Sequence, residues 1–330
     1  MLSKIFNTFL FIVFFHSLLA QRIPESYQTP FSTYPVKAGA CAQVTHSSGS
    51  QIFIEEGTIS AGLDSVVIYY REMRTPMDML VHDIHMYTWL GEKIYLESTG
   101  MFEIYALAGS DTIEMAPGKI IEVRMTTSAK RADPMVEGYI YDRKKHLWEN
   151  YTNQISILKI DDDNHLWGSP PVKNAQTDDS GGNKQESRDK KSQDNWSSAG
   201  PNIQSQTVLQ TMSIDQFGLF NFDKMLGGFN YVYLQPSFVD NNGEKISSTI
   251  FVVYKNINSI FYFPAEGNGD FFIIQNQPYK LLTISDNGSI AILEKYPNLS
   301  QIKNQVITFE LQNSGQPENR QQLTKITGIP

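Results

Sequence analysis

The chain has 330 residues, and its 35 aspartates and glutamates outnumber its 27 lysines and arginines to give a formal net charge of −8. Such an acidic chain argues against binding to nucleic acids or to anionic membranes, because both require a basic patch. The chain contains one cysteine, Cys41, so it cannot form an internal disulfide and has to fold by burying apolar surface. Its length is sufficient for two ordinary domains.

The first 20 residues have the pattern of a secretory signal peptide. Lys4 provides the positive charge, Ile5–Leu19 is almost entirely apolar, and Ala20 is the small residue before the expected cleavage point. An uncleaved anchor is the alternative, but the apolar run is shorter than the roughly 20 residues that a spanning helix needs. We therefore predict that residues 1–20 are removed, and that the protein is secreted or periplasmic with no membrane span after cleavage.

Residues 21–50 are rich in proline, serine, threonine and glycine, which predicts an extended leader. In the first domain, residues 51–167, apolar residues recur with a period of two; in Met101–Leu107 they alternate with Glu103 and Tyr105. The spacing typical of an amphipathic helix is not seen here. The predicted strands of this domain are Gln51–Ile54, Ser65–Glu72, Ile84–Leu90, Lys93–Glu97, Met101–Leu107, Ile120–Met125, Glu137–Tyr141 and Ile155–Ile160.

Residues 168–202 are polar and charged and contain few apolar side chains, which predicts a disordered linker. We predict a second β domain at residues 203–313 and a flexible tail at residues 314–330. Asp286-Asn287-Gly288 gives the strongest hairpin signal, because Asn-Gly tolerates the positive φ of tight turns. The predicted strands of this domain are Thr207–Ile214, Asn230–Val239, Thr249–Lys255, Asp270–Gln275, Lys280–Ser285, Ser289–Glu294 and Gln305–Gln312. The predicted fold class is therefore all-β, with two antiparallel β-sandwich domains joined by a disordered linker.

Two short motifs resemble metal-binding sequences. His82 and His85 are three residues apart, so on a strand they would point to opposite faces and lie about 10 Å apart. A turn could bring them together, but the sequence shows no third ligand. The run Asp161-Asp162-Asp163 resembles the start of a calcium loop without the glycine and the final glutamate of an EF-hand. We predict a polar turn at the first motif and a solvated acidic turn at the second, with weak calcium binding as the alternative there, and no metal or cofactor site.

The candidates for catalysis are few. Cys41 would need a nearby histidine to act as a nucleophile, and His46 is the local candidate. A small buried residue is the simpler interpretation of Cys41. The chain lacks Gly-x-Ser-x-Gly, His-Glu-x-x-His and a phosphate-binding loop. We therefore predict no catalytic residue from motifs.

Glycoside hydrolysis requires two carboxylates on either side of a cleft. Four acidic residues of the first domain are available, but the sequence places no two of them together; they are Glu72, Asp78, Glu97 and Glu103. Aromatic residues of the second domain either line a sugar-binding face or fill a sandwich core, and the core is the commoner arrangement. These aromatic residues are Phe217, Phe220, Phe222, Tyr231, Tyr233, Phe261, Tyr262 and Phe263.

Four segments resemble secreted bacterial proteins of Bacteroidetes type that carry a domain related to the ZU5 β-sandwich. The segments are Val66–Glu72, Ile84–Met86, Ser98–Ile104 and Pro117–Lys119, of which Ser98–Ile104 is the most specific, and Phe217–Asp223 is similar to the companion region of those proteins. Animal ZU5 domains are similar to protein-binding modules, and some lie in proteins that cleave themselves at a His-Phe-Ser motif. This chain has no such motif, so the resemblance implies a binding domain without self-cleavage.

Two functions from different classes remain. The first is an exported, non-catalytic β-sandwich protein that acts as a binding or scaffold module for an envelope protein or a surface glycan. The second is a hydrolase or carbohydrate-binding protein that acts on surface polysaccharide. The missing motifs and the two-domain layout favour the first, whereas two carboxylates about 5–10 Å apart in one cleft would favour the second.

Overall fold

The computed structural model describes residues 23–59, 65–127, 133, 135–151, 155–160, 207–265, 271–297 and 306–330. The predicted signal peptide, the acidic turn Asp161–Asp163 and the predicted linker at residues 168–202 lie outside the described residues. The described part of the chain is all-β, as predicted, with two short α-helices, α1 (Pro76–Val81) and α2 (Arg320–Thr327), and a 3-10 turn at Glu25–Tyr27. None of the described helices has the length and apolar character that crossing a membrane requires.

The first thirteen strands in chain order are β1 (Ser32–Lys37), β2 (Ala42–Thr45), β3 (Gln51–Ile54), β4 (Ser65–Met73), β5 (Tyr87–Trp89), β6 (Lys93–Ala108), β7 (Asp111–Ile113), β8 (Ile121–Thr127), β9 (Glu137–Asp142), β10 (Leu147–Asn150), β11 (Ile155–Ile160), β12 (Thr207–Ile214) and β13 (Gly218–Met225). The remaining strands are β14 (Tyr231–Tyr233), β15 (Gln235–Asp240), β16 (Ile250–Tyr254), β17 (Ile260–Phe263), β18 (Phe272–Ile274), β19 (Tyr279–Ile284), β20 (Ile290–Leu293) and β21 (Val306–Gly315).

Two sheets form the N-terminal sandwich. The larger sheet has the strand order β1-β4-β6-β13-β9-β10-β5, and β7 pairs with β6 beside this path. Because β5 also pairs with β6, a closed ring forms from the strands β6, β13, β9, β10 and β5. The smaller sheet has the order β11-β12-β8-β3-β2. Ile68 and Phe102 of the larger sheet share a fully buried core with Ile52 and Val123 of the smaller one. Burial of this apolar surface stabilises the sandwich at roughly 25 cal/mol per Å² removed from water.

The C-terminal domain is built on a six-stranded sheet with the order β15-β21-β20-β19-β16-β17, and β14 pairs with β18 in a separate ribbon. All its pairs are antiparallel except β15 with β21. Val252, Leu281 and Phe309 are fully buried in the core of this domain. The predicted hairpin at Asp286-Asn287-Gly288 joins β19 to β20, and Gly288 has a φ of 81° as the turn requires.

The partners of β12 and β13 differ from the prediction. The sequence assigns residues 203–225 to the second domain, but β12 pairs with β8 and β11, and β13 pairs with β6 and β9. Strands β12 and β13 therefore complete the N-terminal sandwich, and the C-terminal sheets begin after Met225. The prediction failed because period-two alternation identifies a strand but does not specify which strand it pairs with.

Helix α1 is a second difference, because the sequence predicted a turn and then a strand at Ile84–Leu90. The Thr75 side chain accepts from the backbone N–H of Asp78, and the Asp78 carboxylate accepts from that of Thr75, which forms a capping box with Pro76 in the first turn. The strand is reduced to β5, at Tyr87–Trp89. The sequence Thr-Pro-x-Asp is a helix-start signal, but the helix is too short to show the apolar spacing by which helices are recognised.

Helix α2 shows that the prediction of a flexible tail at residues 314–330 is wrong. Asn319 caps the helix by accepting the N–H of Gln322 at 3.0 Å, and Gly328 ends it in the left-handed conformation. Leu323 and Ile329 are each only 1% exposed. The tail is ordered because these apolar side chains pack into a core that both domains share.

This shared core joins the two domains. It contains Met79 of α1, Trp148 of β10, Ile260 of β17 and Leu282 of β19, together with Leu323 of α2. The domains therefore pack through buried apolar surface and not only through the chain that connects them. Such an interface predicts that they keep a fixed relative position.

Asp223 is a buried carboxyl group close to this junction. It lies on β13 opposite Ser98 and Glu137, it is 0% exposed, and neither side-chain oxygen has a hydrogen-bond partner in the described part of the chain. Burial raises its pKa well above the ordinary value and the carboxylate of Glu97 adds to the shift, against an opposite effect of the Ser98 hydroxyl. Asp223 is therefore held as a neutral acid in the folded protein.

We expect Arg320→Ala to lower the free energy of unfolding by about 1–2 kcal/mol, because it leaves the buried carboxylate of Asp78 without its ion-pair partner at 2.6 Å. The exposed Lys325→Ala on the same helix is the matched control, with an expected change below about 0.5 kcal/mol. Urea unfolding of both variants measures the difference. Equal stability of the two would show that the ion pair does not hold α2 in place.

We expect Asp223→Asn to stabilise the protein at pH 8 and to have a smaller effect at pH 4. The folded-state pKa is raised, so the folded protein keeps a proton that the unfolded chain releases, and stability falls as pH rises above about 4. An asparagine removes that dependence. Thermal melts of the wild type and the variant at pH 4, 6 and 8 measure this pH dependence, with the exposed Asp111→Asn as control. A stability difference that does not change with pH would contradict a raised pKa for Asp223.

Candidate functional site

A cleft of about 780 Å³ lies between the two domains. Its lining residues are Arg74, Thr75, Pro76 and Glu97 from the N-terminal sandwich and residues 253–258, 278–280 and 328–330 from the C-terminal part of the chain. Cavities of about 300–1,000 Å³ are typical of small-ligand sites, and junctions between domains are a common place for them. The cleft is therefore the first candidate for a binding site.

Hydrogen bonds across the junction fix the walls of this cleft. The Asn258 amide nitrogen donates to the backbone oxygens of Arg74 at 3.0 Å and Ser98 at 2.9 Å, and the Ser98 N–H donates to the Asn258 backbone oxygen at 2.9 Å. Thr75 caps α1, so the backbone of Arg74 is held by the start of a helix as well. The cleft is thus preformed, which lowers the entropy that a ligand would lose on binding.

The side chains of the cleft are more basic than the chain as a whole. The guanidinium of Arg74 contacts the Glu72 carboxylate at 2.5 Å, and the Lys280 ammonium donates to the Thr327 backbone oxygen. Lys255 is exposed and forms no ion pair within the described ranges. Glu97 is the acidic side chain that lines the cleft. Glu72 neutralises Arg74, so Lys255 and Lys280 are the cleft cations that form no ion pair within the described ranges, and Glu97 is itself paired with Lys224. The two lysines favour an anionic ligand.

Tyr279 gives the cleft a polar group without a partner. Its hydroxyl is buried and has no hydrogen bond to any described residue. Burial raises the pKa of Tyr279 to about 12, with a further contribution from Tyr296. The hydroxyl therefore remains protonated at neutral pH.

Two of the carboxylates considered for hydrolysis are buried and already engaged in hydrogen bonds and ion pairs. Glu72 accepts from Ser48 at 2.9 Å and Tyr70 at 2.9 Å and pairs with Arg74. Burial alone would raise its pKa, but hydrogen bonds from serine, Arg74 and tyrosine lower it. The pKa of Asp78 is likewise lowered, because the contacts of Arg320 outweigh burial. Neither group has the raised pKa that a general acid needs.

The other two carboxylates also lie apart from each other. Glu103 is held between Arg71 and Arg143, at 2.5 Å and 2.7 Å. Glu97 contacts the Lys224 ammonium at 3.1 Å. The structure thus distributes the four sequence candidates among separate ion pairs and leaves Glu97 as the one that lines the cleft.

A second cavity of about 300 Å³ brings acidic residues together in a way that the sequence did not reveal. Glu97, Asp133 and Glu137 line it with Lys224, whose ammonium contacts both Glu97 and Asp133, the latter at 3.5 Å. Glu97 also lines the larger cleft. Sequence reasoning missed Asp133 because it is an ordinary acid in a polar connection, and only the register of β6 with β13 places Lys224 opposite Glu97.

Cys41 and His46 do not form a catalytic pair. Cys41 is exposed, so the expectation of a small buried residue is wrong, and the strand β2 separates it from His46 by about 15 Å of extended chain. The His46 Nδ1 lies 2.8 Å from the Ser48 hydroxyl and 3.6 Å from Glu72. His46 therefore belongs to the ion-pair network of Glu72.

His82 and His85 point into different environments. His82 is buried, and its Nε2 accepts a hydrogen bond from the backbone N–H of Thr29 at 3.1 Å. Burial is the main reason that its pKa is lowered to about 3, and the charge of Arg71 adds to the shift. His85 is partly exposed and stacks on Tyr262 with ring centroids 4.0 Å apart. The prediction from their spacing placed both on one strand, whereas His82 lies at the end of α1 and His85 precedes β5. The structure places Asp83 and His146 beside His85, a grouping that the sequence does not show.

Most of the predicted aromatic residues fill cores. Phe220 and Phe222 lie in the N-terminal core, and Phe261 and Phe263 lie in the C-terminal core. Tyr233 is 52% exposed. The core interpretation therefore holds for these four phenylalanines, and the recognition surface is better sought in the cleft than on an aromatic platform.

Comparison with known proteins does not place the chain in a family. No family model matches it, no curated protein matches it, and no solved structure matches it. These findings neither support nor exclude the resemblance to ZU5-like domains.

Proposed function

We propose that this protein is an exported, non-catalytic binding protein whose ligand occupies the cleft between its two β domains. The observation that carries the proposal is the cleft itself, a cavity of about 780 Å³ with walls from both domains that direct hydrogen bonds hold in place. Export follows from the predicted signal peptide at residues 1–20. A rigid cavity without a matched acid and base suits binding better than chemistry.

The charge of the cleft favours a ligand that carries carboxylate or sulfate groups. Lys255 and Lys280 line the cleft without an ion pair within the described ranges, in a chain whose net charge is −8. The volume suits a few sugar units better than the face of a folded protein, which needs about 800 Å² on each partner. An acidic surface glycan is therefore the partner that fits best, and an envelope protein is the alternative.

The second cavity favours a different function, a hydrolase that acts on surface polysaccharide. Glu97 and Asp133 both contact the ammonium of Lys224, so two carboxylates lie close together in one cavity. Glycosidases need such a pair, with one member protonated as the general acid. The ammonium between the two carboxylates and the small volume of the cavity argue against this function, which we keep as the second candidate.

We expect Lys255→Glu to weaken retention of the protein on an acidic polysaccharide by about tenfold, because it reverses the charge of an exposed lysine that lines the cleft. Lys245→Glu is the matched control, since it makes the same charge change at an exposed turn outside the cleft. Affinity electrophoresis in gels with alginate, heparin or neutral dextran measures the effect. Equal retention of the two variants would place the ligand elsewhere, and capture of an envelope protein without glycan retention would favour the alternative partner.

We expect the wild-type protein to release no reducing sugar from the polysaccharide that retains it. If sugar is released, Glu97→Gln should reduce the rate by at least about 100-fold, because it removes one of the paired carboxylates. Glu149→Gln, a change at an exposed glutamate outside both cavities, is the control. Release that depends on Glu97 and not on Glu149 would replace the binding proposal with the hydrolase.

A further inference from the structure

A cluster of three metal-ligand side chains lies away from both cavities. Asp83, His85 and His146 each present one potential ligand atom, and these atoms all lie within 4.8 Å of one another. The Asp83 Oδ1 is 3.4 Å from the His85 Nε2, and the Asp83 Oδ2 is 3.9 Å from the His146 Nδ1. We propose that these residues bind one divalent transition-metal ion, a property independent of the proposed glycan site.

The distances are close to those of a loaded site. In a tetrahedral site with metal–ligand bonds of about 2.0–2.1 Å, neighbouring ligand atoms lie about 3.3 Å apart. The 3.4 Å separation between Asp83 and His85 is already close to this value, and no separation in the cluster needs to shorten by more than about 1.5 Å. Asp83 and His146 are about half exposed, so rotation of their side chains can supply this movement without repacking the core.

Two tyrosines, one buried and one partly buried, fix the position of the cluster. The hydroxyl of Tyr141 accepts the backbone N–H of His85 at 3.1 Å and donates to the backbone oxygen of Asp83 at 3.3 Å. The ring of His85 stacks on Tyr262 of the C-terminal domain, and the hydroxyl of Tyr262 donates to the backbone oxygen of Met79. These contacts hold two ligands before any ion arrives, which lowers the cost of binding.

The third ligand comes from the hairpin between β9 and β10. Tyr141 lies on β9 just before that hairpin, and the parallel pairing of Trp148 with Thr88 places β10 beside β5. His146 and Asp83 both have a φ of 52°, a left-handed conformation uncommon for residues other than glycine. These two residues come from separate segments, one after α1 and one in the β9–β10 hairpin, and their side chains meet at 3.9 Å.

The chemistry of the ligands selects the class of ion. Two imidazoles and one carboxylate suit zinc, nickel, cobalt or copper, whereas magnesium and calcium prefer sites made of oxygen alone. Three protein ligands leave at least one coordination position for water or for a donor from another molecule.

Nearby positive charges do not prevent this binding. The hairpin carries Arg143, which pairs with Glu103, and Lys145, which pairs with Asp142 and Glu149, and these ion pairs neutralise both side chains. Lys144 of the same hairpin is exposed, so that solvent and salt screen its charge. Without a metal, the same three residues would make ordinary histidine–aspartate ion pairs, which is the competing explanation of their proximity.

The test is isothermal titration of the purified chain, free of any histidine tag, with Zn²⁺, Ni²⁺, Mg²⁺ and Ca²⁺. We expect one Zn²⁺ or Ni²⁺ per chain and no binding of Mg²⁺ or Ca²⁺. Three variants should each weaken transition-metal binding by about tenfold or more: His85→Phe, which keeps the stacking on Tyr262, and His146→Asn and Asp83→Asn, since asparagine tolerates positive φ.

Two controls separate this site from general metal adsorption. His46→Asn removes a histidine that lies in the Glu72 network, and Asp111→Asn removes an exposed carboxylate from the β6–β7 turn. Both should bind like the wild type, and thermal melts in EDTA should show all variants folded. Absence of stoichiometric binding, or equal affinity in His85→Phe, His146→Asn and the controls, would overturn the proposal and leave an ion-pair cluster.

Discussion

The backbone hydrogen bonds of the long strand β6 are the constraint on which the rest of this structure depends. Successive parts of its 16 residues pair with β5, β13, β4 and β7, so one strand belongs to the closed ring and to the sandwich sheet. Midway along it, Ser98 also bonds to Asn258 of the C-terminal domain. A polar backbone group buried without a partner is costly, so the pairing of β6 fixes the register of its neighbours and the position of the second domain together.

The junction beside β6 combines apolar packing with buried charge. Leu323 and Trp148 share one core across the domains, while Asp78 and Arg320 form an ion pair at its edge. Asp223 remains buried without a hydrogen-bond partner among the described residues. The apolar surface supplies the stability, and the ion pair determines where α2 docks, because a carboxylate left unpaired in a buried place is strongly destabilising.

The possible functional sites follow from this junction. The larger cleft and the smaller acidic cavity both contain Glu97 of β6, and Asn258 forms part of the larger one. The Asp83–His85–His146 cluster lies where the ring strands β5 and β10 meet, with His85 against Tyr262 of the other domain. The interface between the two β domains thus creates the larger cleft, and junctions of this kind commonly hold small-ligand sites. The three residues of the cluster all belong to the N-terminal domain, and Tyr262 of the other domain packs against one of them.

The sequence by itself determined the all-β class, most of the strands and the hairpin at Asn287-Gly288, because alternation and turn chemistry are local properties of the chain. It did not assign β12 and β13 to the N-terminal sandwich, and it treated α2 as a flexible tail. It also could not predict that His146 contacts Asp83, or that Lys224 contacts Glu97 and Asp133. Only the tertiary structure decided these, since strand partners, helix docking and side-chain clusters depend on contacts between residues far apart in sequence, and a period of two leaves the choice of partner open.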